Sequence, residues 1–392
     1  MTVDYEVIIV GAGPSGSTLA RKLAADGFST LLLDKEKHPR FKPCGGLVST
    51  RALRRLGLDV GKVTKETYYE GRIFRPKGDF VDLSSRSPLA IGVSRAEFDH
   101  LLVEKAIDQG ADFVENHMVD NLSFSPEKVT VVTSRGLNVT GNIVVGADGV
   151  NSTVARMAGI RQRWESNEVA GGLVTEIQLG NELVRNLFPA NLLEFHFGIS
   201  RTGYGWIFPK GDILNVGVGT LLSEQKGIKR LFDSFVLNDS RLRKLAISDC
   251  RYHLLPVGGF AKHLCADRAL LIGDAAGFAD PLSGEGIFYA IESAEIAFRA
   301  ITMASEMSEF SEETLSLYSR DCEDTILSEL RRAYSFARKV HYHPNFMLGL
   351  FIADSQLRRN LVEVLTGDSS YARFTRCVYR RLPVSLMKCI RL

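Results

Sequence analysis

The hydrophobic and polar positions at the start of the chain predict one β-α-β unit. Tyr5–Val10 is a run of apolar and β-branched residues that leads through a glycine-rich segment, 11–16, into a helical pattern over 17–26. A second strand-like run, Thr30–Leu33, closes on Asp34. A strand, a helix and a further strand in this order are typical of a right-handed crossover between parallel strands.

The pattern then continues with further elements of the same kind. Ser94 and Glu97 form a capping box ahead of a helical pattern that runs to Gln109. Short strands are predicted at Val129–Thr133 and at 143–146, the second of which returns to the parallel sheet. We therefore expect an α/β nucleotide-binding fold of the Rossmann type.

From residue 169 onward the pattern is that of an antiparallel sheet. Strand-like runs separated by Gly, Asn and Arg turns lie at 172–177, 193–197, 204–209 and 214–219. A strand at 269–273 and a helix at 286–303 follow, and the remainder is helical in pattern, with breaks near Pro344 and Pro383. No linker separates these parts, so we expect the nucleotide fold, the antiparallel sheet and the helical C-terminal region to interleave.

The glycine-rich segment is a dinucleotide-binding fingerprint in its expected context, since it follows a strand and opens a helix. Gly11 permits the tight turn, Gly13 lets the backbone approach a pyrophosphate, and Gly16 lets the helix and strand pack closely. The helix N-terminus, which includes Ser15, offers free N–H groups to phosphates. Asp34, at the end of the next strand, is placed to accept hydrogen bonds from an adenosine ribose.

Two later segments decide which dinucleotide is bound. They read VGADGVNS at 145–152 and LIGDAAG at 271–277. With the fingerprint, they resemble the second and third signatures of the para-hydroxybenzoate hydroxylase-like flavoprotein superfamily. The resemblance implies FAD as the cofactor, with Asp274 at its ribityl chain and Arg95 beside it.

Other cofactor contacts are assigned less directly. Asp148 and Gly149 either shape a turn of the sheet or lie near the pyrophosphate, and both alternatives stay open. Lys35 and Val119 are also predicted to contact the cofactor.

The segment 280–287 reads DPLSGEGI and comes directly before the predicted helix. Gly284 and Gly286 let the backbone lie against a flat ring, and the helix that starts near Ile287 directs its N-terminal dipole at that ring. Reduced flavin carries negative charge near N1 and C2=O, which such free N–H groups stabilise by about 1–2 kcal/mol in a partly buried site. The segment is therefore predicted to hold reduced flavin.

Two features outside the FAD segments indicate the reaction. The sequence reads KPCGG at 42–46 and YGWIFPK at 204–210, followed by NVGVG at 215–219. Occurring in this order among the FAD motifs, they resemble the geranylgeranyl reductase family. The resemblance implies an FAD-dependent reductase that saturates C=C bonds of geranylgeranyl or related polyprenyl chains, in a lipid, chlorophyll or quinone precursor, by hydride transfer from flavin N5.

Substrate contacts are predicted on the antiparallel sheet. Tyr204, Trp206 and Phe208 alternate along one strand, so their side chains share a face. That face is either part of a core or a wall for flavin and substrate. Gly46 is predicted to contact the substrate as well.

The sequence offers two candidates for the proton donor. Cys44, which with Gly45 is also assigned to the cofactor loop, is either a small apolar side chain or a group that delivers a proton. Glu285 is the second candidate for this acid.

Three other functions stay open at this point. An aromatic monooxygenase of the same superfamily would share the FAD motifs and use O2. A flavin-dependent halogenase would carry a W-x-W-x-I-P segment, from which the chain departs at Tyr204 and Phe208. The last alternative is an electron-transfer or structural flavoprotein without a substrate.

The predicted division of the chain follows from these assignments. Residues 1–165 and 265–305 form a discontinuous FAD-binding domain, 166–264 an antiparallel-sheet substrate domain, and 306–392 the helical C-terminal region. No second fingerprint is present, so electrons are expected from an external donor, which is NADPH, ferredoxin or another carrier.

Charge is uneven along a chain whose net charge is only +2, a value that does not favour nucleic acid as a partner. Bulky apolar and cationic residues mix near the C-terminus: Tyr371, Arg373, Phe374, Arg376, Val378, Tyr379, Arg380, Arg381, Leu382, Leu386, Met387, Lys388, Ile390 and Arg391. This tail is predicted either to lie on an anionic bilayer or to dock on the protein as an ordinary helix.

Cysteine usage and hydropathy bear on the compartment. The cysteines are widely spaced without a CxxC pair, which favours neither a metal site nor a disulfide framework. We find no export signal at Met1 and no apolar run of the roughly 18–20 residues that a spanning helix needs. We therefore expect a cytoplasmic protein, with or without peripheral contact to the cytoplasmic membrane face.

Overall fold

The structure is a computed structural model that describes residues 3–189, 191–224, 227–258 and 261–389. Its strands are β1 Tyr5–Val10, β2 Thr30–Leu33, β3 Leu47–Ser49, β4 Thr64–Tyr68, β5 Glu70–Phe74, β6 Phe80–Ser84, β7 Ala90–Val93, β8 Asp112–Val114, β9 Val119–Phe124, β10 Val129–Thr133, β11 Asn138–Gly146, β12 Val169–Gln178, β13 Leu192–Phe197, β14 Gly203–Lys210, β15 Ile213–Leu221, β16 Arg251–Pro256, β17 Cys265–Ala266 and β18 Ala269–Leu271.

The α-helices are α1 Pro14–Ala25, α2 Thr50–Leu56, α3 Arg95–Ile107, α4 Thr153–Met157, α5 Asn181–Leu187, α6 Ile228–Asn238, α7 Ile287–Glu306, α8 Glu312–Cys322, α9 Ser328–Tyr342, α10 Pro344–Ala353, α11 Ser355–Thr366 and α12 Tyr371–Cys389. With the strands, they confirm the predicted fold class, an α/β nucleotide fold interleaved with an antiparallel sheet and followed by a helical C-terminal region.

The chain divides into two compact units. Unit 1 comprises 1–42, 95–165 and 256–331. Its sheet runs in the order β17-β18-β11-β1-β2-β8. The strands from β18 to β8 are parallel to one another, β17 is antiparallel to β18, and β10 and β9 add antiparallel strands beside β11. The central strands are buried on both faces, which explains their continuous apolar runs.

Unit 2 comprises 43–94, 166–255 and 332–392. A seven-stranded sheet runs in the order β16-β12-β15-β14-β13-β5-β6, and a smaller sheet in the order β3-β7-β4. One face of the larger sheet is covered by α6, whose Phe232 and Phe235 pack on Ile207 and Val216. The opposite face carries the alternating aromatic side chains of β14.

The observed units group three parts of the chain, 43–94, 256–264 and 306–331, differently from the predicted division. Residues 43–94 belong to unit 2, because β5 pairs in parallel with β13 and so extends the larger sheet. The segment 306–331 belongs to unit 1, where the Tyr318 hydroxyl on α8 donates to the Leu271 carbonyl at 2.6 Å.

The break predicted at Pro383 is wrong, although Pro344 does begin a new helix. Proline removes one backbone donor and usually kinks a helix. Here Arg381 Nε and Ser385 Oγ, on either side of Pro383, each donate to Asp354 Oδ2 at 2.8 Å. These tertiary contacts keep α12 continuous across the proline.

Among the helices of the described ranges, none combines the length and apolar character needed to cross a membrane. Ile390 and Arg391 of the predicted basic tail lie outside the described residues.

Candidate cofactor and substrate site

The three predicted cofactor segments meet in unit 1 at the carboxyl ends of parallel strands. Gly11 has φ +107°, and a Cβ there would overlap the Ala147 carbonyl at the end of β11. Gly273, after β18, has φ +59°, and a Cβ there would lie 2.8 Å from Ser15 Oγ. The first segment therefore contacts both the second and the third, and the glycines permit these contacts.

Gly13 and Gly16 have different roles in the fingerprint. A Cβ at Gly16 would overlap the Gly11 carbonyl, so this glycine is needed for the protein's own packing. A Cβ at Gly13 would come no nearer than 3.8 Å to a described atom, Arg40 Nη2. No described side chain caps α1 at this end. The open space and the N-terminal N–H groups of α1 fit a bound phosphate.

Asp34 is held as an ionised acceptor at the end of β2. Its Oδ2 accepts from the Ala12 N–H at 2.9 Å and lies 3.2 Å from His38 Nε2, and Arg40 Nε is 3.6 Å away. Burial alone would raise the pKa of Asp34, but these hydrogen bonds and the Arg40 charge lower it to about 2. The carboxylate is thus fixed beside the glycine loop, as an acceptor for ribose hydroxyls requires.

Arg95 is oriented by a carboxylate that our sequence reasoning missed. Arg95 Nε and Nη2 each donate to Asp99 at 2.8 Å, and Arg40 Nη1 donates to the same carboxylate at 3.1 Å. The Asp99 side chain is 0% exposed. Burial would raise the pKa of Asp99, but the charge and hydrogen bonds of Arg95 lower it. The i,i+4 spacing of Arg95 and Asp99 on a helix was the signal in the sequence.

Asp274 and Lys42, both in unit 1, influence each other's pKa. Burial raises the pKa of Asp274, against the opposing effect of Lys42 and Arg95. Burial also lowers the pKa of Lys42, to about 8, although Asp274 favours its charged form. A carboxylate of this kind, next to two cations, fits the predicted hydrogen bond to a ribityl hydroxyl.

The two carboxylate oxygens of Asp148 have different surroundings. Its Oδ2 accepts from the Thr153 N–H at 2.7 Å and from the Val154 N–H at 3.2 Å, which ties the turn to α4. Its buried Oδ1 has no hydrogen-bond partner among the described residues, and burial raises the pKa of Asp148. Gly149 follows with φ +82°. The turn-shaping role is thus visible, and a role at the pyrophosphate stays a prediction.

The segment 280–287 is a rigid turn ahead of α7. Asp280 Oδ1 accepts from the Leu282 and Ser283 N–H groups at 2.8 and 3.0 Å, and Gly284 N–H donates to the Asp280 carbonyl at 2.8 Å. Gly284 has φ +72°. No described side chain caps α7, for which Gly286 is the N-cap. These features suit a backbone surface against which a flavin ring could lie. At the end of the segment, Glu285 is half-buried and Ile287 is buried.

Two further predicted cofactor residues have contrasting surroundings. Lys35 is exposed directly after Asp34, while Val119 is 5% exposed in the apolar core of unit 1. Both assignments stay predictions.

The predicted aromatic face is present in unit 2. The Tyr204 and Trp206 ring centroids lie 6.1 Å apart and those of Trp206 and Phe208 6.2 Å apart, while Phe195 of β13 contacts Phe208 at 5.2 Å. Phe208 is 4% exposed, whereas Tyr204 and Trp206 are only half-buried. One end of this face is therefore core and the other is open to contact.

The indole of Trp206 is fixed by the strand beside it. Its Nε1 donates to Asn215 Oδ1 at 2.8 Å. Gly217 pairs with Trp206 in the sheet, and a Cβ at Gly217 would overlap the indole ring. The NVGVG segment therefore serves to let the Trp206 ring lie flat on β15.

Cys44 lies in a loop that packs directly on β14. The Gly46 N–H donates to Cys44 Sγ at 3.3 Å, and the thiol is half-buried. A Cβ at Gly45 would lie 2.9 Å from Phe208, and one at Gly46 would overlap Lys210 Nζ. Gly46 thus has a packing reason to be glycine in addition to its predicted substrate contact.

Comparisons with known proteins bear on the cofactor and the family of the chain. The FAD binding domain family matches residues 4–182, which confirms the predicted cofactor, and the Geranylgeranyl reductase catalytic domain family matches residues 178–249. A digeranylgeranylglycerophospholipid reductase of Methanococcus aeolicus is 31% identical over 322 residues, covering 80% of this chain and 81% of that protein.

Two solved structures share the fold. A geranylgeranyl bacteriochlorophyll reductase-like protein of Thermoplasma acidophilum has a TM-score of 0.85 at 23% identity and covers 98% of both chains. A halogenase, PltM, in complex with FAD has a TM-score of 0.70 at 17% identity and covers 95% of this chain and 85% of that one. At these identities the likeness concerns the fold alone.

Proposed function

This chain belongs to the geranylgeranyl reductase family, and we propose that it is an FAD-dependent reductase that saturates C=C bonds of a geranylgeranyl or related polyprenyl lipid. The observation that carries this proposal is the glycine loop of Cys44, which packs on the aromatic strand of Trp206 and Phe208. A thiol beside an apolar aromatic wall suits a long hydrocarbon chain that needs a proton and has no polar group to bind.

Saturating one C=C bond adds a hydride to one carbon and a proton to the other. Reduced FAD, when bound, would supply the hydride from N5, and an external donor would restore it, either NADPH in one two-electron step or a one-electron carrier such as ferredoxin in two steps. The protein's residues hold the chain, exclude water and deliver the proton. Cys44 is the first candidate for this proton donor and Glu285 the second.

Anaerobic turnover tests the proposed reaction. The FAD-loaded protein is reduced with dithionite, freed of excess reductant and mixed with a geranylgeranyl lipid. The oxidised flavin absorbance should return, with one flavin reoxidised for each C=C bond saturated in the lipid by mass spectrometry. The matched control is the fully saturated lipid, with which the flavin should stay reduced.

An aromatic monooxygenase or a halogenase would give a different result. Either would stay reduced with the unsaturated lipid and be reoxidised when O2 is admitted, and that outcome would overturn the proposal. The halogenase likeness concerns fold, whereas the catalytic domain match at 178–249 is with the reductase family.

The proton donor is tested by comparing Cys44→Ser with Glu285→Gln in the same assay. Loss of the general acid should slow reoxidation by about 100-fold or more, because general acid catalysis contributes factors of this size. If neither variant slows reoxidation tenfold, both assignments are wrong while the reductase proposal stands.

The proposal also includes contact between α12 and an anionic bilayer, from which a lipid substrate would be taken. The helix packs against α9 within unit 2 through Phe374, whose ring lies 4.9 Å from that of Phe336. Its other face exposes Tyr379, Val384 and Met387, at 59%, 40% and 57%. The exposed cations of the same face are Arg373, Arg376 and Arg380. Exposed apolar side chains between cations fit a negatively charged lipid surface.

Vesicle sedimentation tests this contact. The protein should bind phosphatidylglycerol vesicles and not phosphatidylcholine vesicles, and the triple variant R373Q/R376Q/R380Q should weaken binding by about 100-fold, since each cation near the surface contributes about 1 kcal/mol. The control removes three other exposed cations, in K77Q/R135Q/R185Q. Equal loss in both triple variants would show non-specific attraction and refute the α12 surface.

A further inference from the structure

A buried polar network lies beneath the Cys44 loop in unit 2. Asn215 and Lys210, on β15 and β14, are 0% and 1% exposed. Glu176, on β12, accepts from both of them through Oε1, at 3.1 Å from Asn215 Nδ2 and 2.7 Å from Lys210 Nζ. Buried charges and amides are costly unless every partner is supplied, so this network needs an explanation.

Asn215 connects the network directly to Cys44. Its Nδ2 donates to the Cys44 carbonyl at 2.9 Å, and its Oδ1 accepts from Trp206 Nε1 at 2.8 Å. An indole N–H can only donate and a carbonyl oxygen can only accept, so these partners set the orientation of the amide. The same side chain therefore fixes Trp206 and the backbone of Cys44 relative to each other.

Glu176 and Lys210 hold Asn215 in place. Lys210 Nζ also donates to the Val93 carbonyl at 3.2 Å, which anchors the ammonium group from a second direction. Because Lys210 fixes Glu176 Oε1, the second acceptor of the Asn215 amide has a defined position. The ion pair thus limits the rotation of Asn215.

The loop lies on this network without any side chain between them. A Cβ at Gly46 would overlap Lys210 Nζ, and one at Gly45 would lie 2.9 Å from Phe208. The carbonyl of Cys44 is held by Asn215, and its sulfur accepts the Gly46 N–H at 3.3 Å. Rotation about χ1 is then the main freedom left to the thiol.

From these contacts we infer that Asn215 is a positioning residue for Cys44, supported by the Glu176–Lys210 ion pair and coupled to Trp206. The inference rests on the proposed role of Cys44 in the reductase, to which it adds the residue that orients the thiol. Asn215 touches neither substrate nor cofactor in this role and acts through Cys44.

Alkylation of Cys44 measures the orientation of the loop without any lipid. The FAD-loaded protein is treated with iodoacetamide, and the labelling rates of the Cys44 and Cys250 peptides are followed by mass spectrometry. Cys250, also in unit 2 and half-buried, is the internal reference. Asn215→Leu should raise the Cys44 rate about tenfold, the factor that corresponds to one lost buried hydrogen bond, and leave the Cys250 rate unchanged.

A second variant and a matched control separate positioning from stability. Asn215→Asp keeps the volume and the bond from Trp206 but cannot donate to Cys44, so it should also raise the rate and serves if Asn215→Leu does not fold. Thr175→Val removes a different buried hydrogen bond of the same sheet, to the Ser248 carbonyl at 2.9 Å. This control should leave the Cys44 rate within about twofold of the unsubstituted protein.

Steady-state kinetics complete the test. Asn215→Leu should lower kcat for lipid reduction about tenfold with KM changed less than about twofold, since the lost bond orients a reacting group. Unchanged Cys44 alkylation in both Asn215 variants would overturn the inference, even if the unsubstituted enzyme is active. Faster alkylation in a protein that reduces no alkene would instead support the positioning role and refute the proposed reaction.

Discussion

The cofactor segments of unit 1 and the Cys44 loop of unit 2 both depend on glycine, but for different reasons. In unit 1, a Cβ at Gly11 or Gly16 would meet the backbone. In unit 2, a Cβ at Gly45, Gly46 or Gly217 would meet a side chain, of Phe208, Lys210 or Trp206 respectively, although Gly46 would also meet the Val93 carbonyl. Backbone cannot move without disturbing the strand it belongs to, whereas a side chain can rotate.

This difference predicts that substitutions of glycine will have different effects in the two units. Substitution in the nucleotide loop should affect folding or cofactor binding, since the loop is shaped by main-chain packing. Substitution on the aromatic face should displace one functional side chain and leave the fold and the cofactor in place. The following predictions test this contrast.

The largest effect is expected at Gly16. Gly16→Ala would place a Cβ on the Gly11 carbonyl, and we expect a loss of about 4 kcal/mol or more in the free energy of unfolding. Gly13→Ala, by contrast, meets open space at φ −83°, so the FAD-free protein should be as stable as the unsubstituted one. Urea unfolding of the FAD-free proteins measures both.

Gly13→Ala should nevertheless bind FAD at least tenfold more weakly, or about 1.4 kcal/mol, because its methyl group occupies space reserved for the pyrophosphate. Titration of FAD by flavin fluorescence gives the Kd. Normal FAD affinity in Gly13→Ala would contradict the assignment of this loop to the phosphates.

A smaller effect, confined to turnover, is expected at Gly217. A Cβ there would overlap the Trp206 ring, so Gly217→Ala should displace the indole and lower kcat/KM for the lipid about tenfold, the effect of losing one oriented contact. FAD affinity should stay within about twofold. The control is Gly219→Ala, whose Cβ would lie an ordinary 3.8 Å from Trp206. Equal losses in the two variants would show that the glycines serve the strand and not the ring.

The sequence predicted the nucleotide fold well because its information is local. The bounds of β1, β2 and β10 match the predicted strands, since these short apolar runs are bounded by clear turns. The fingerprint likewise lies within one β-α-β unit. Burial on both faces leaves a continuous apolar run that can be recognised without knowing the neighbouring strands.

The small strands of 47–93 could not be predicted in the same way. β5 joins the larger sheet by pairing with β13, more than a hundred residues later. The Asn215–Cys44 contact, at a separation of 171 residues, is of the same kind. Asn215 and Lys210 lay inside segments recognised by resemblance, but their hydrogen-bond partners depend on strand order, which periodicity does not contain.

The last comparison is between one carboxylate from each unit. Burial opposes ionisation in both Asp34 and Asp354, but other groups hold each pKa at about 2. For Asp34 these are a hydrogen bond from His38 and the charge of Arg40, and for Asp354 they are hydrogen bonds from Arg381 and Ser385. A carboxyl group whose pKa is lowered on folding stabilises the fold above its unfolded value, near 3.8. That contribution is lost as the pH falls through the folded value.

Asp34→Asn and Asp354→Asn should therefore each lower the free energy of unfolding at pH 7, by about 2 kcal/mol for Asp34. Each variant should also lose less stability than the unsubstituted protein as the pH falls from about 4 to about 2. The two variants should differ in their response to FAD. Asp34→Asn should weaken FAD binding because the ribose loses a charged acceptor, whereas Asp354→Asn should not, since its partners lie within the helical region of unit 2. Thermal unfolding with and without FAD measures this difference. The rise in Tm that FAD causes should be smaller in Asp34→Asn than in the unsubstituted protein, and unchanged in Asp354→Asn. An equal reduction in both variants would mean that the Asp34 carboxylate serves only the fold.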